Sequence, residues 1–147
     1  MTSRISSLRP AARAALALAP YALVACGGGA TEPSGFPAQP YAAASSDSGA
    51  LDILVRTNPQ PPARGSNDVE LTIARGTDGS PAQGLTLAVQ TWMPSMNHGS
   101  STPTVTEEGG GKYLVSDVYL YMPGTWQLRL TFSGALDDHA TLTLPVP

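Results

Sequence analysis

Between Leu51 and Leu144, apolar side chains fall at every second position in one short run after another. Leu51, Ile53 and Val55 alternate, as do Val69, Leu71 and Ile73, then Leu85, Leu87 and Val89. Trp126, Leu128, Leu130 and Phe132 form the cleanest series, and Ala140, Leu142 and Leu144 the last. A period of two places every apolar residue of a run on one face of an extended strand, and no stretch here repeats at the helical period. Breakers separate the runs, among them Asn58-Pro59-Gln60-Pro61-Pro62, Asp78-Gly79-Ser80-Pro81 and Ser133-Gly134. Two less regular runs complete the set. Thr102 to Thr106 is short and closed by Glu107-Glu108-Gly109-Gly110-Gly111, and Tyr113, Val115, Val118 and Leu120 slip in phase at Ser116-Asp117, which predicts a bulge. Seven short strands in about a hundred residues predict an all-β domain over residues 50–147, a seven-stranded immunoglobulin-like β-sandwich. The cysteine pair of antibody domains is missing, so packing alone must hold it.

The N-terminus predicts where such a domain works. Arg4, Arg9 and Arg13 precede an apolar run from Ala14 to Ala25. That run is too short for a permanent membrane helix, which needs roughly 20 apolar residues, so residues 1–25 read as a signal peptide. It ends in Leu23-Val24-Ala25-Cys26, a lipobox pattern around the one cysteine in the chain. With no partner for a disulfide, Cys26 is expected to carry a diacylglycerol, with an acyl chain such as palmitate on the new N-terminus. The expected location is the cell envelope, on a membrane, with Gly27 matching the pattern sorted to an outer membrane. Residues 26–49 are Gly, Ala, Ser and Pro with little aliphatic bulk, and are expected to be a flexible linker. Without the signal, five cationic residues face eleven acidic ones. A basic stripe is absent, which argues against nucleic acid as a partner.

The chemistry gathers in Trp92-Met93-Pro94-Ser95-Met96-Asn97-His98-Gly99 and in Tyr121-Met122-Pro123-Gly124. These hold every methionine except Met1, and one of the two histidines. If the strands run up and down, the third and fifth finish at the same pole. Met93, Met96, His98 and Met122 then meet there, with the Pro-rich loop from Asn58 to Gly65 at the same end. His139 and the Glu107-Glu108 turn fall at the other pole. Thioethers are neutral and soft, and with one imidazole they suit Cu(I); zinc would ask for thiolates or more histidines, and calcium for clustered carboxylates. Trp92 would shield a bound cation with its ring face.

The same residues have a plainer reading. Methionine fills irregular gaps, and Met-Pro turns can plug the end of a sandwich. The domain would then be a metal-free interaction module docking another envelope protein. An enzyme is not expected. Ser95, Ser100 and Ser101 neighbour His98, but no Gly-x-Ser-x-Gly elbow or orienting acid accompanies them.

Pro81-Ala82-Gln83-Gly84-Leu85, Met93-Pro94-Ser95-Met96-Asn97-His98-Gly99, Gly111-Lys112-Tyr113 and Met122-Pro123-Gly124-Thr125-Trp126-Gln127-Leu128 follow in an order that resembles the YtkA-like domain, itself similar to the periplasmic part of FixH proteins. The resemblance implies an extracytoplasmic immunoglobulin-like sandwich. It also implies a link to copper handling and an envelope copper acceptor, with the Met/His motif on Met93, Met96 and His98 and the Met-Pro-Gly turn on Met122. FixH-type members have a transmembrane anchor where this chain has its lipobox.

Overall fold

The computed structural model describes residues 35–147; the segment expected to be a signal peptide with its lipobox, and Cys26, lie outside them. Nine strands follow in order: β1 (Ala42–Ser45), β2 (Leu51–Asn58), β3 (Gly65–Arg75), β4 (Leu85–Met93), β5 (His98–Gly99), β6 (Thr104–Gly109), β7 (Lys112–Leu120), β8 (Gly124–Gly134) and β9 (Asp138–Val146). The one helical piece among the described residues is a single 3₁₀ turn, Pro94–Met96. No helix among them is long and apolar enough to cross a membrane.

The strands form two antiparallel sheets, ordered β1-β2-β3-β7-β6 and β5-β4-β8-β9. The period-two pattern explains the packing. Alternate residues of β2, β3 and β7 (Leu51, Ile53, Val55; Val69, Leu71, Ile73; Tyr113, Val115, Val118, Leu120) share one core with those of β4, β8 and β9. Each fully buried aliphatic or aromatic side chain contributes about 1.5–3 kcal/mol. A slip of one residue in any strand would turn its whole apolar set to solvent, so the pattern also fixes the register.

The predicted bulge is present. Asn67 pairs with Val118 and Val69 with Val115, so β7 carries one residue more than β3 between these points. The extra residue is accommodated at Asp117, whose φ is 61°.

Two strands go beyond the seven expected. β5 is a two-residue strand closing a hairpin on β4. β1 comes from the segment expected to be linker, so the folded region begins ahead of residue 50. The argument from aliphatic bulk missed it because β2 supplies the backbone partners: Ala42 pairs with Val55 and Ser45 with Asp52, and Tyr41 N–H donates to the Val55 carbonyl at 2.7 Å. Alanine methyls and Tyr41 are enough to pack this edge against the core. Upstream of β1 the chain crosses the end of β2, where Arg56 and Gln60 donate to the carbonyls of Ala38 (3.4 Å) and Gln39 (3.0 Å).

A candidate metal centre where β4, β7 and β8 meet

Strand register puts the sequence motifs at one end of the fold. β4 finishes beside the start of β8, with Trp92 opposite Gln127, and β8 starts opposite the end of β9, with Gly124 paired to Val146. β7 finishes opposite the start of β3, Leu120 facing Gly65, and the connection through Tyr121, Met122 and Pro123 leads into β8. The loop between Asn58 and Gly65 closes the same end. Asn67, buried at its foot, holds it by accepting from Ala63 N–H (2.9 Å) and donating to the Ala63 (2.8 Å) and Gly65 (3.0 Å) carbonyls.

The hairpin from β4 to β5 sets the first two candidate ligands. Pro94 opens the 3₁₀ turn, and Asn97 ends it in the left-handed region (φ 52°, ψ 39°), where Asn is among the better tolerated residues. The hairpin makes Met93 and His98 register partners, and directly opposed residues of an antiparallel pair place their side chains on the same face. Met93 is 3% exposed and belongs to the core, so that face is the inner one. Thr91, one step further in, fastens the outgoing strand: its hydroxyl accepts from Ser100 N–H (3.2 Å), donates to the Ser101 carbonyl (3.3 Å) and contacts the Ser100 hydroxyl.

The Met-Pro-Gly turn meets this pair from the other side. Gly124 has φ 134°, and a β-carbon built on it would lie 2.5 Å from Met93 Cε. Glycine here thus provides both the conformation and the space in which the Met93 methyl rests. Met122 is half-buried and packs against the core, and its carbonyl accepts the Trp126 indole N–H at 3.0 Å. Trp126 is fully buried, with its ring centroid 6.3 Å from that of His98 and an interplanar angle of 76°. His98 Nδ1 lies 3.0 Å from the Gly99 carbonyl. A proton on Nδ1 satisfies that carbonyl and leaves the Nε2 lone pair for another partner.

Met93, His98 and the Met122 turn are therefore brought together. Met96 is not part of the packed group: it sits on the 3₁₀ turn and is 54% exposed. Trp92 is also elsewhere. It points to the outer face of its sheet, where the Arg129 guanidinium lies 4.6 Å from its ring centroid, so the cation it covers is the protein's own. The indole beside His98 is Trp126. Parity carries that signal, since Leu85, Leu87, Val89 and Met93 share odd positions and Trp92 is even. His139 pairs with Thr131 towards the opposite end, remote from the group, as expected.

Among the described residues, no three His, Cys, Asp or Glu side chains gather as a metal site would need. The donors in the packed Met/His group are thioethers and a single imidazole, a set whose softness suits a monovalent ion better than a hard one.

The geometry defines an all-β domain of two antiparallel sheets with methionines, a histidine and tryptophan at one end. Residues 46–131 match the YtkA-like family, and the chain belongs to it. No curated protein and no solved structure matches the chain.

Proposed function

We propose that this is a lipid-anchored, extracytoplasmic Cu(I)-binding protein, a chaperone or buffer that hands its ion to an acceptor in the cell envelope. The cross-strand pairing of Met93 with His98, closed from the other side by the Met122-Pro123-Gly124 turn, carries the reading. Met93 Sδ, His98 Nε2 and Met122 Sδ form the ligand set. Met96, exposed on its turn, is the outer thioether through which an ion arrives and leaves by ligand exchange. Copper is cargo here, and the protein is non-catalytic. Cys26 holds the lipid. The sheets are read as an immunoglobulin-like sandwich with two additions, β1 and β5. Without these the orders are β2-β3-β7-β6 and β4-β8-β9, matching the ABED and CFG sheets of constant-type domains.

Burial of Met93 favours a second reading, a metal-free module in which the methionines are packing and the pole docks a partner. Titrating the full chain with Cu(I), against a chromogenic chelator under reducing conditions, separates the two. The Cu(I) reading requires one-to-one binding that the Met93→Leu/Met96→Leu/His98→Asn variant loses while its circular dichroism stays that of the parent. Binding also weakens on acidification, because proton and metal compete for the imidazole. A folded parent that leaves the chelator its copper would overturn this reading and leave the docking module.

A further inference from the structure

The outer faces of the two sheets carry the two halves of one kind of contact. On the four-stranded sheet it is complete: the Arg129 guanidinium lies on Trp92 and donates to Gln127 Oε1 from Nε (3.4 Å) and Nη2 (3.3 Å). On the five-stranded sheet only the receiving half is present. Ser66 and Tyr119 are register partners across β3 and β7, and the Tyr119 and Tyr121 ring centroids lie 4.8 Å apart with planes at 58°. Both rings are nearly half exposed, at 43% and 47%. Together with Ser101 and Asp117 they line a cleft of about 360 Å³.

Asp117 belongs to this cleft because of the bulge in β7. Its φ of 61° lies in the left-handed region, which Asp and Asn tolerate better than most residues, and this conformation sets its carboxylate at the cleft. None of the cleft residues is basic, and among the described residues no cation pairs with Asp117. An open pair of aromatic rings beside a free carboxylate attracts a planar organic cation.

We propose that this cleft receives an arginine side chain presented by another polypeptide. A guanidinium is weakly hydrated and flat, so it stacks on the tyrosines while its N–H groups donate to the Asp117 carboxylate, with the Ser66 and Ser101 hydroxyls as further acceptors. A lysine ammonium, strongly hydrated and without a plane, uses the rings less well. Free arginine is disfavoured because its own carboxylate would face Asp117 with no basic residue in the cleft to meet it. The excess of acidic over basic residues draws a basic partner towards the domain. The cleft is also next to the Met/His end, since Tyr121 and Trp126 have ring centroids 6.4 Å apart and Trp126 lies against His98. The proposal stands whether or not that end binds copper.

The test follows the ring resonances of Tyr119 and Tyr121 by NMR in the full chain, titrated with N-acetyl-arginine amide to about 50 mM, a range suited to a single weak contact. The uncharged isostere N-acetyl-citrulline amide and free arginine serve as controls. Saturable shifts at both rings are expected for the arginine amide, with little response to citrulline and weaker binding of free arginine. Asp117→Asn keeps a residue that tolerates the left-handed backbone and removes the charge, and should weaken binding roughly tenfold. Tyr121→Leu, at an exposed loop position, should weaken it without disturbing the bulge. Absence of saturable shifts, an equal response to citrulline, or parent-like binding by Asp117→Asn would each overturn the proposal. Equal affinity for free arginine would overturn the polypeptide source.

Discussion

The two ends of this domain are closed by different means. At the end where β4 and β7 begin, polar groups do the work. Asp47 N–H donates to the His139 carbonyl (2.7 Å), and the Asp138 carboxylate accepts from the Ser48 hydroxyl (2.5 Å) and from His139 N–H (2.8 Å). Tyr113 Oη, from one sheet, donates to the Leu85 carbonyl of the other at 3.1 Å. At the opposite end the closure is made largely by side-chain bulk: Met93 over Gly124, Met122 against the core and Trp126 beside His98. Hydrogen bonds are directional and costly to leave unmade once buried, so the first end is committed to one arrangement. Thioethers are adaptable and make weaker directional demands, so the methionine contacts at the second end can rearrange while the bonds of Asn67 and Thr91 keep its loops in place. Fixed geometry lies at one pole and chemical latitude at the other.

That contrast can be broken most severely at Trp126. Trp126→Ala empties the centre of the Met/His end and should cost about 3–5 kcal/mol in urea denaturation, with the indole–Met122 bond lost as well. A loss under about 1 kcal/mol would mean that this end contributes little packing stability. At the polar end the effects should be smaller. Tyr113→Phe removes the bond between sheets and leaves the Leu85 carbonyl without that donor, a loss of about 1–2 kcal/mol by the same measurement. Burial, reinforced by the Glu107 charge, pushes the Tyr113 phenol up, so its hydroxyl remains a donor across the neutral range.

Acid sharpens the comparison further. The hydroxyls of Ser46 and Ser48 hold the Asp138 carboxyl at about 2, below its ordinary value of 3.8. A group depressed in the folded state adds stability that is fully present above the unfolded pKa and is lost as pH falls through the folded one. Asp138 should therefore stabilise the domain above about pH 4 and lose that contribution between there and about pH 2. Thermal melts of Asp138→Asn should show a lower Tm at pH 6 and a gap from the parent that narrows towards pH 2. A constant gap would assign the effect of Asp138 to packing.

Much of this architecture was legible because a period of two is hard to mistake: each of the seven expected strands exists, and the slip at Ser116-Asp117 is a true bulge. The convergence of Met93 and Met122 followed from counting strand directions. What escaped had no local signature. β1 is made of alanines, and its stability comes from backbone bonds to β2, a partner that its own composition does not reveal. The exposure of Met96 against the burial of Met93 depends on a 3₁₀ turn inside a four-residue connection, which spacing alone does not specify. The role given to Trp92 failed where residue type was weighed without parity, since an even position on that strand faces away from the odd-numbered core.

The difference between Met93 and Met96 also sets an order for oxidative damage. Peroxide reaches an exposed thioether before a buried one and turns it into a sulfoxide, a polar group with a hard oxygen in place of soft sulfur. Met96, 54% exposed, should be converted well ahead of Met93, 3% exposed, as peptide mass mapping after brief peroxide treatment would show. Because Met96 takes no part in the core, the fold should outlast its oxidation, and reductive repair could restore the sulfur without unfolding the domain. The outermost sulfur would thereby be the first to be oxidised and the readiest to be repaired, and the inner one the last to be reached.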